Sequence, residues 1–127
     1  MDIKYIDHFV LTVRDVDTIC EFYERVLGMT VKTFGEGRKA LHFGSQKINV
    51  HPPIGSGPSH RARKPAIGGS DFCLITKDSM TNVAQHLKSE GVCIELGPDK
   101  RSGAVGTITS IYFRDPDGNL VEISNYD

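Results

Sequence analysis

The chain has 127 residues, of which 39% are hydrophobic and 24% are charged, and its formal net charge is −1. This length is typical of a single domain with its own hydrophobic core, and the near-neutral charge gives no reason to expect nucleic acid or an anionic membrane as a partner. The sequence has no apolar run of membrane-spanning length and no signal-peptide pattern.

The cysteines indicate a reducing environment. Three are present, and their wide spacing forms neither a CxxC pair nor a disulfide framework: Cys20, Cys73 and Cys93. We therefore expect a cytoplasmic protein.

The first predicted strand lies within residues 5–17, YIDHFVLTVRDVD. Alternation places Phe9, Leu11 and Val13 on one face, which we expect to face the core. The opposite face is mixed and carries His8, Val10 and Thr12. A lone histidine near the start of a strand is most often a structural or surface residue, so His8 needs support from other positions before it is assigned a function.

A predicted helix follows, because Asp15 is a typical N-cap residue and apolar residues then recur at helical spacing. Gly28 stands where a left-handed C-terminal cap is expected. Three strand-like segments come next, separated by turn residues: MTVKTF, KALHF and KINVH. The first half of the chain is therefore predicted to be a βαβββ module.

The same order of elements begins again after a segment rich in proline, glycine and basic residues, PPIGSGPSHRARKPAIGGS. After it, SDFCLITKDSMTNVAQHLKSEGVCIE aligns without gaps to DHFVLTVRDVDTICEFYERVLGMTVK. Identical residues fall on a core strand face and at both helix caps: Phe9 with Phe72, Leu11 with Leu74, Asp15 with Asp78, and Gly28 with Gly91. Because these positions are structural, they indicate an internal duplication. We predict one α+β domain made of two tandem βαβββ modules, residues 1–53 and 70–127, joined by a linker at residues 54–69.

The final hairpins of the two modules also correspond if the second turn, RDPDGN, is longer than the first. This alignment pairs His42 with Tyr112 and Asn49 with Glu122. The polar residues of the predicted strands then share the face away from the helices: His8, His42, Asn49, His51, Asp71 and Glu122.

This polar face predicts a cavity with a metal site. Helices that cover one side of an antiparallel sheet leave the other side free to curve around a cavity. Buried ionisable groups on that concave face must meet water, one another or a cation. Imidazole and carboxylate together suit Zn²⁺, Mn²⁺, Fe²⁺ or Ni²⁺, so we interpret His8 as a metal ligand. The alternatives are that His51 lies on a rim, that Asp71 caps a turn and that Glu122 faces solvent.

The paired modules, the opening DHFVLTVRDVDTICEFYERVLGM and the ending IYFRDPDGNLVEISNY resemble the vicinal oxygen chelate superfamily over essentially the whole chain. This superfamily includes glyoxalase I, fosfomycin-resistance thiol transferases, extradiol dioxygenases, methylmalonyl-CoA epimerase and bleomycin-binding proteins. The chain is most similar to its glyoxalase-domain-containing, lactoylglutathione lyase-like group. The resemblance implies a homodimer, in which the two modules around one cavity can belong to different chains.

The resemblance also implies a ligand set, because metal ligands in that superfamily come from the first and fourth strands of each module. Those positions here are His8, Asn49, Asp71 and Glu122. His8 and Glu122 match the usual pattern, whereas Asp71 and Asn49 depart from it, and His51 is the alternative to Asn49. We therefore expect His8, His51, Asp71 and Glu122 to be the metal ligands, an oxygen-rich set that shifts the preference from Zn²⁺ towards Mn²⁺, Fe²⁺ or Mg²⁺.

The activity implied by the resemblance is that of a metal-dependent lyase or isomerase of the glyoxalase type. Its small substrate would chelate the metal through neighbouring oxygens, Glu122 would be the catalytic proton shuttle, and a thiol such as glutathione is the expected co-substrate. The alternatives are a non-catalytic, bleomycin-resistance type of binding protein, a fosfomycin-type thiol transferase, and an extradiol-type dioxygenase that holds Fe²⁺ with His8, His51 and Glu122.

Four further residues are predicted to contact substrate: His42, Asn49, Arg101 and Tyr112. Arg101 lies within residues 97–110, GPDKRSGAVGTITS, which we predict to be a loop that closes over the cavity. Cys73 is expected to be a small buried hydrophobic residue. The linker cations are a second candidate anion contact, although so few cations favour a solvated charge run: Arg61, Arg63 and Lys64.

Overall fold

A computed structural model describes all residues, 1–127, and divides them into two compact units, Met1–Gly68 and Gly69–Asp127. The elements of the first unit are β1 (His8–Thr12), α1 (Val16–Leu27), β2 (Thr30–Phe34), β3 (Arg38–Phe43) and β4 (Gln46–His51). Those of the second unit are β5 (Asp71–Ile75), α2 (Met80–Ser89), β6 (Leu96–Ser102), β7 (Thr107–Arg114) and β8 (Leu120–Tyr126). Both units have the order βαβββ, which confirms the predicted α+β fold of two tandem modules. Neither helix is long and apolar enough to cross a membrane.

Each unit contains a four-stranded sheet, and the strand orders are β1-β4-β3-β2 and β5-β8-β7-β6. The first and last strands of each module are parallel neighbours, so the sheets are mixed rather than purely antiparallel. The register repeats as well, since Val10 pairs with Asn49 and Cys73 pairs with Glu122. This agreement supports the duplication and gives Asn49 and Glu122 equivalent places in the two sheets.

The core of the first unit lies between α1 and one face of its sheet. The Asp15 side chain accepts a hydrogen bond from the Asp17 backbone N–H, and Gly28 ends the helix with a φ of 67°, so both predicted caps are confirmed. The helix contacts β2, β3 and β4. Its buried residues are Ile19, Cys20, Phe22, Tyr23 and Val26. They are matched on the sheet by buried apolar residues, including Leu11, Leu41 and Ile48.

Helix α2 begins with a different cap from the one that the repeat predicts. Ser79 is the N-cap, and its Oγ accepts a hydrogen bond from the Asn82 backbone N–H at 3.1 Å. Asp78 instead accepts a hydrogen bond from Thr76 Oγ1 at 3.1 Å. The predicted equivalence of Asp15 and Asp78 is therefore wrong, because the adjacent serine caps a helix as well as an aspartate does.

Residues 97–110 form a β-hairpin rather than the predicted loop. They belong to β6 and β7, with a short turn at residues 103–106. β6 is an edge strand, and an edge strand tolerates polar residues and proline because only one of its sides is hydrogen-bonded. The prediction was wrong because the sequence of β6, LGPDKRS, lacks the apolar alternation of a half-buried strand.

Candidate functional site

The first-unit polar face is the side of that sheet away from the core, and β4 carries its central residues. Asn49 and His51 alternate along β4 with Ile48 and Val50, so they point to the opposite side from these apolar neighbours. His8 begins β1 on the same side, where it pairs with Lys47 of β4, and His42 pairs with Lys47 from β3. This face therefore carries all four first-unit residues that were predicted for it: His8, His42, Asn49 and His51.

His8 is exposed and has a carboxylate partner. Its Nδ1 lies 2.7 Å from the Asp7 carboxylate oxygen Oδ2. A carboxylate on one ring nitrogen leaves the other nitrogen free, which is the usual arrangement of a metal-bound histidine. His51 lies at the other end of the strand pair, opposite Thr12. The intervening four residues of strand span about 13 Å, so His8 and His51 of one chain do not share an ion.

The end of β4 carries buried polar atoms without partners. Asn49 and His51 are only 7% and 8% exposed, yet Asn49 Oδ1 and His51 Nδ1 make no hydrogen bond. Arg61, from the segment after β4, donates from Nη2 to the Pro52 carbonyl oxygen, while its buried Nε and Nη1 have no acceptor. Each buried polar group left unpaired costs about 1–3 kcal/mol. The end of β4 is therefore a candidate contact for a polar ligand or an ordered water.

The charged groups near His51 and His42, on the first-unit polar face, are cations. Burial lowers the pKa of His51, and the nearby guanidinium groups of Arg61 and Arg38 lower it further. At His42, desolvation again lowers the pKa, with smaller contributions from two lysines, Lys32 and Lys47. Both histidines are thus held towards their neutral form, in which a ring nitrogen can accept a hydrogen bond or bind a metal.

In the second unit, Glu122 lies at the centre of a hydrogen-bonded group. In the strand register, Glu122 of β8 lies opposite Cys73 of β5 on one side and opposite Tyr112 of β7 on the other. Ser124 Oγ donates to Glu122 Oε1 at 3.3 Å and lies 2.6 Å from the Oγ of Ser110. Cys73 is exposed rather than buried, and its Sγ lies 3.3 Å from Ser124 Oγ. We call Cys73, Ser110, Tyr112, Glu122 and Ser124 the Glu122 network.

Arg101 joins this network through Tyr112. The Nε of Arg101 donates to Tyr112 Oη at 3.1 Å, and its guanidinium carbon lies 5.6 Å from the centre of the tyrosine ring. Burial raises the pKa of the Tyr112 hydroxyl; hydrogen bonding and charge at Glu122 add to the rise, whereas Arg101 opposes it. Tyr112 therefore keeps its proton and donates a hydrogen bond to the Glu122 carboxylate. The structure thus brings together three predicted site residues of this unit: Arg101, Tyr112 and Glu122.

The remaining acidic candidate, Asp71, begins β5 and is exposed. It pairs with Leu120, so it lies two positions along the strand pair from Cys73 and Glu122. In the chain as a whole, no group of three or more His, Cys, Asp or Glu side chains is arranged to hold a metal ion. Within the units, His8 and His51 lie at opposite ends of one strand pair, and Asp71 and Glu122 lie two positions apart in the other.

The predicted pairing of His42 with Tyr112 is also displaced. Tyr112 lies opposite Glu122, whereas Ala40 lies opposite the equivalent residue, Asn49. His42 is two residues nearer the hairpin turn than Ala40. The sequence alignment misplaced His42 because the two hairpins differ in turn length and also in the number of paired residues between this position and the turn.

Two features of these faces were not predicted from sequence. Alternation along β8 places Ser124 on the same side as Glu122, so this partner could have been found by the rule that identified Glu122. The partial burial of Arg61 had no such signal, because its segment contains neither helix nor strand. The expectation of a wholly solvated charge run is therefore wrong for Arg61, although Arg63 and Lys64 are exposed.

Residues 5–123 match the family model of the Glyoxalase/Bleomycin resistance protein/Dioxygenase superfamily. The chain is 48% identical over 126 residues to the Glyoxalase domain-containing protein RDO1 of Mycosarcoma maydis, a match that covers 99% of this chain and 70% of that protein. It is also 48% identical over 126 residues to Virulence protein STM3117 of Salmonella typhimurium, covering 99% and 87% of the two sequences. The crystal structure of STM3117 superposes with a TM-score of 0.97 over 100% of both chains.

A more distant structure shares the fold. Lactoylglutathione lyase from Agrobacterium tumefaciens is 22% identical and superposes with a TM-score of 0.75, covering 98% of this chain and 95% of that chain. At this identity the likeness concerns the fold alone. Together with the repeated βαβββ order and register, the family match over almost the whole sequence confirms the resemblance noted above. The chain belongs to the Glyoxalase/Bleomycin resistance protein/Dioxygenase superfamily.

Proposed function

We propose that the protein is a divalent-metal-dependent lyase or isomerase of the glyoxalase type that acts on a small substrate with neighbouring oxygen atoms. The observation that carries this proposal is the position of Glu122. Its carboxylate is half-buried, hydrogen-bonded by Ser124 and adjacent to the Tyr112 hydroxyl. A carboxylate held in this way is suited to take a proton from a carbon next to a carbonyl group and to return it to a neighbouring atom.

The residues around Glu122 would orient it. Ser124 donates a hydrogen bond to Oε1 and so fixes the orientation of the carboxylate. Arg101 holds the Tyr112 hydroxyl from the far side, and Tyr112 in turn keeps a proton available beside the carboxylate. His42 and Asn49 belong to the other unit, and we propose that they contact substrate from the first-unit polar face.

The metal part of the proposal needs ligands from more than one chain, because no suitable group exists within one. Three residues have the right donor chemistry: His8 with its Asp7 partner, Asp71 and Glu122. Dimers are usual in this superfamily, so we propose that a homodimer completes the site. A bound divalent ion would supply positive charge to a developing enolate. Because the ligands of one chain do not converge, we assign no catalytic step to the ion.

We infer the compartment from the cysteines and the co-substrate from the compartment. All three cysteines are free, and free thiols suit the reducing cytoplasm. A thiol such as glutathione is abundant there, and we propose it as the co-substrate.

A second candidate function is non-catalytic binding of a small molecule, as in the bleomycin-resistance type of protein. It is favoured by the lack of a converging ligand group in one chain. The extradiol alternative has less support, because it requires His8 and His51 on one Fe²⁺ and the register of β1 and β4 separates them. A fosfomycin-type transferase needs the same divalent ion as the main proposal.

The test combines metal analysis with a substrate screen, using untagged wild-type protein and the Glu122→Gln variant. We expect bound divalent metal and turnover of a thiol adduct of an oxo-aldehyde, with kcat lowered at least about 100-fold in the variant. The control is Glu36→Gln, an exposed position in the β2–β3 turn, which should keep wild-type activity. Wild-type protein that binds neither Mn²⁺, Fe²⁺, Ni²⁺ nor Zn²⁺ and turns over no substrate would instead support the binding function.

A further inference from the structure

The cluster at the end of β4 has an excess of hydrogen-bond donors over acceptors. Arg61 presents the Nε–H and both Nη1–H groups without an acceptor. His51 Nδ1 is also unpartnered and donates when the ring carries its proton there. Asn49 Oδ1 is the one unpaired acceptor among these atoms. A ligand that completes this cluster must therefore be mainly an acceptor.

The charges around the cluster are cations without carboxylate partners. Arg61 and Arg38 are the charged groups that act on His51. Neither arginine is paired with an Asp or Glu. Arg38 instead lies over the Phe34 ring, 4.5 Å from its centre, and Lys47 lies over the same ring at 4.2 Å. A negative ligand at the end of β4 would therefore be attracted by these cations.

We propose that Arg61, His51 and Asn49 form a binding site for the oxyanion of a small hydroxy acid. The oxyanion, a carboxylate or a phosphate, accepts hydrogen bonds from Arg61 and His51. A hydroxyl on the same ligand donates to Asn49 Oδ1. Charged donors to an oxyanion are the stronger class of hydrogen bond, which is why Arg61 is the main determinant of affinity.

The spacing sets the size of the ligand. Asn49 and His51 are two residues apart on one strand face, so their Cα atoms are separated by about 7 Å. A compact acid of a few carbon atoms spans the distance between their side chains. The site deepens the proposed function and rests on it at one residue, because Asn49 is among the proposed substrate contacts. It uses none of the Glu122 network, so a binding titration tests it separately from turnover.

The experiment is a titration of the full-length protein, followed by two-dimensional NMR at the Asn49 and Arg61 side-chain signals. Four probes separate the features of the ligand: glycolate, acetate, glycolamide and inorganic phosphate. Glycolate is expected to shift these signals in the millimolar range. Acetate, which lacks the hydroxyl, should bind more weakly, and neutral glycolamide should not bind.

Two variants and a matched control identify the residues. Arg61→Gln should weaken glycolate binding at least about 10-fold, since one charge-assisted contact is lost. Asn49→Asp keeps the side-chain shape but adds a negative charge, so it should abolish glycolate binding. It provides the test if Arg61→Gln proves poorly folded. Arg63→Gln removes an exposed cation from the same segment and should leave the affinity within about 2-fold of wild type.

Each outcome of the titration either supports or overturns the proposed oxyanion site. Phosphate binding that is tighter than glycolate binding and equally dependent on Arg61 supports the site and assigns it to phosphoryl ligands. Tighter glycolate binding supports it and assigns it to carboxylates. Equal binding of glycolamide, equal losses in Arg61→Gln and Arg63→Gln, or no shift with any probe would overturn the proposal.

Discussion

Buried polar side chains in this protein are of two kinds. In the turn before β8, Asp115 and Asn119 are 5% and 1% exposed. The Asp115 carboxylate accepts hydrogen bonds from the backbone and side-chain N–H groups of Asn119 at 3.0 and 2.8 Å. Asn49 and His51 are equally buried but have unpaired atoms. The first pair stabilises a turn, whereas the second has the properties expected of a ligand contact.

The pH dependence of stability should reveal the environment of His51. Its pKa is lowered from 6.5 by burial and by the cations Arg61 and Arg38, so the unfolded chain takes up this proton more readily than the folded chain does. The stabilising contribution is present above the unfolded pKa and is lost as the pH falls below it. We predict that the free energy of unfolding falls more steeply from about pH 7 to pH 5 in wild type than in His51→Gln.

Urea unfolding at a series of pH values measures this difference, and comparison at pH 8, where the histidine is neutral in both states, corrects for any change in packing. Parallel curves for the two proteins would show that His51 is not held in its neutral form by the fold.

At the scale of elements, the β6–β7 hairpin depends on a close backbone approach at Gly97. This residue has a φ of 101°, and an added Cβ would lie 2.3 Å from the Ser110 carbonyl oxygen across the hairpin. Gly28, at the end of α1, also has a positive φ, 67°, but an added Cβ there meets nothing within 4 Å. The two glycines therefore separate backbone strain from steric overlap.

We predict that Gly28→Ala lowers the free energy of unfolding by about 1–2 kcal/mol, the cost of a left-handed residue with a side chain. Gly97→Ala should cost more, roughly 3–5 kcal/mol, because the Ser110 backbone must also move. Chemical denaturation of both variants measures the two values. Similar losses in both would mean that the hairpin relaxes around the new methyl group at little cost.

At the scale of the whole molecule, duplication has preserved topology while the chemistry of the two polar faces has diverged. The first-unit polar face carries cations, among them Arg38 and Lys47, and the second carries the carboxylates Asp71 and Glu122. Equivalent places hold different residues, since Asn49 stands where the second unit has Glu122. This divergence agrees with the two proposals, an anion contact in the first unit and a proton shuttle in the second.

The proposed homodimer has a direct thermodynamic consequence. Association of folded chains stabilises them by mass action, so Tm should rise with protein concentration. Differential scanning calorimetry over about a hundredfold concentration range, with the molar mass measured by light scattering, provides the test. A constant Tm together with the mass of one chain, 14.0 kDa, would exclude the dimer and with it the shared metal site.

The amino-acid sequence by itself determined the repeated βαβββ order, the cap residues of α1 and the polar side of the strands. These features depend on local rules: alternation along a strand, helical spacing, and the preference of Asp15 and Gly28 for helix ends. The placement of Arg101, Tyr112 and Glu122 in one group followed in part, because alternation identified Glu122 and Tyr112.

Tertiary structure alone decided the strand register, and register sets which polar residues meet. In the observed register, His8 and His51 lie far apart and His42 does not occupy the place equivalent to Tyr112. Residues 97–110 form a hairpin instead of the predicted loop. Tertiary structure also brought Arg61 to the end of β4, although no local pattern connects the two. Such contacts arise from pairing between distant segments, and their energy depends on packing and desolvation that the order of residues along the chain does not reveal.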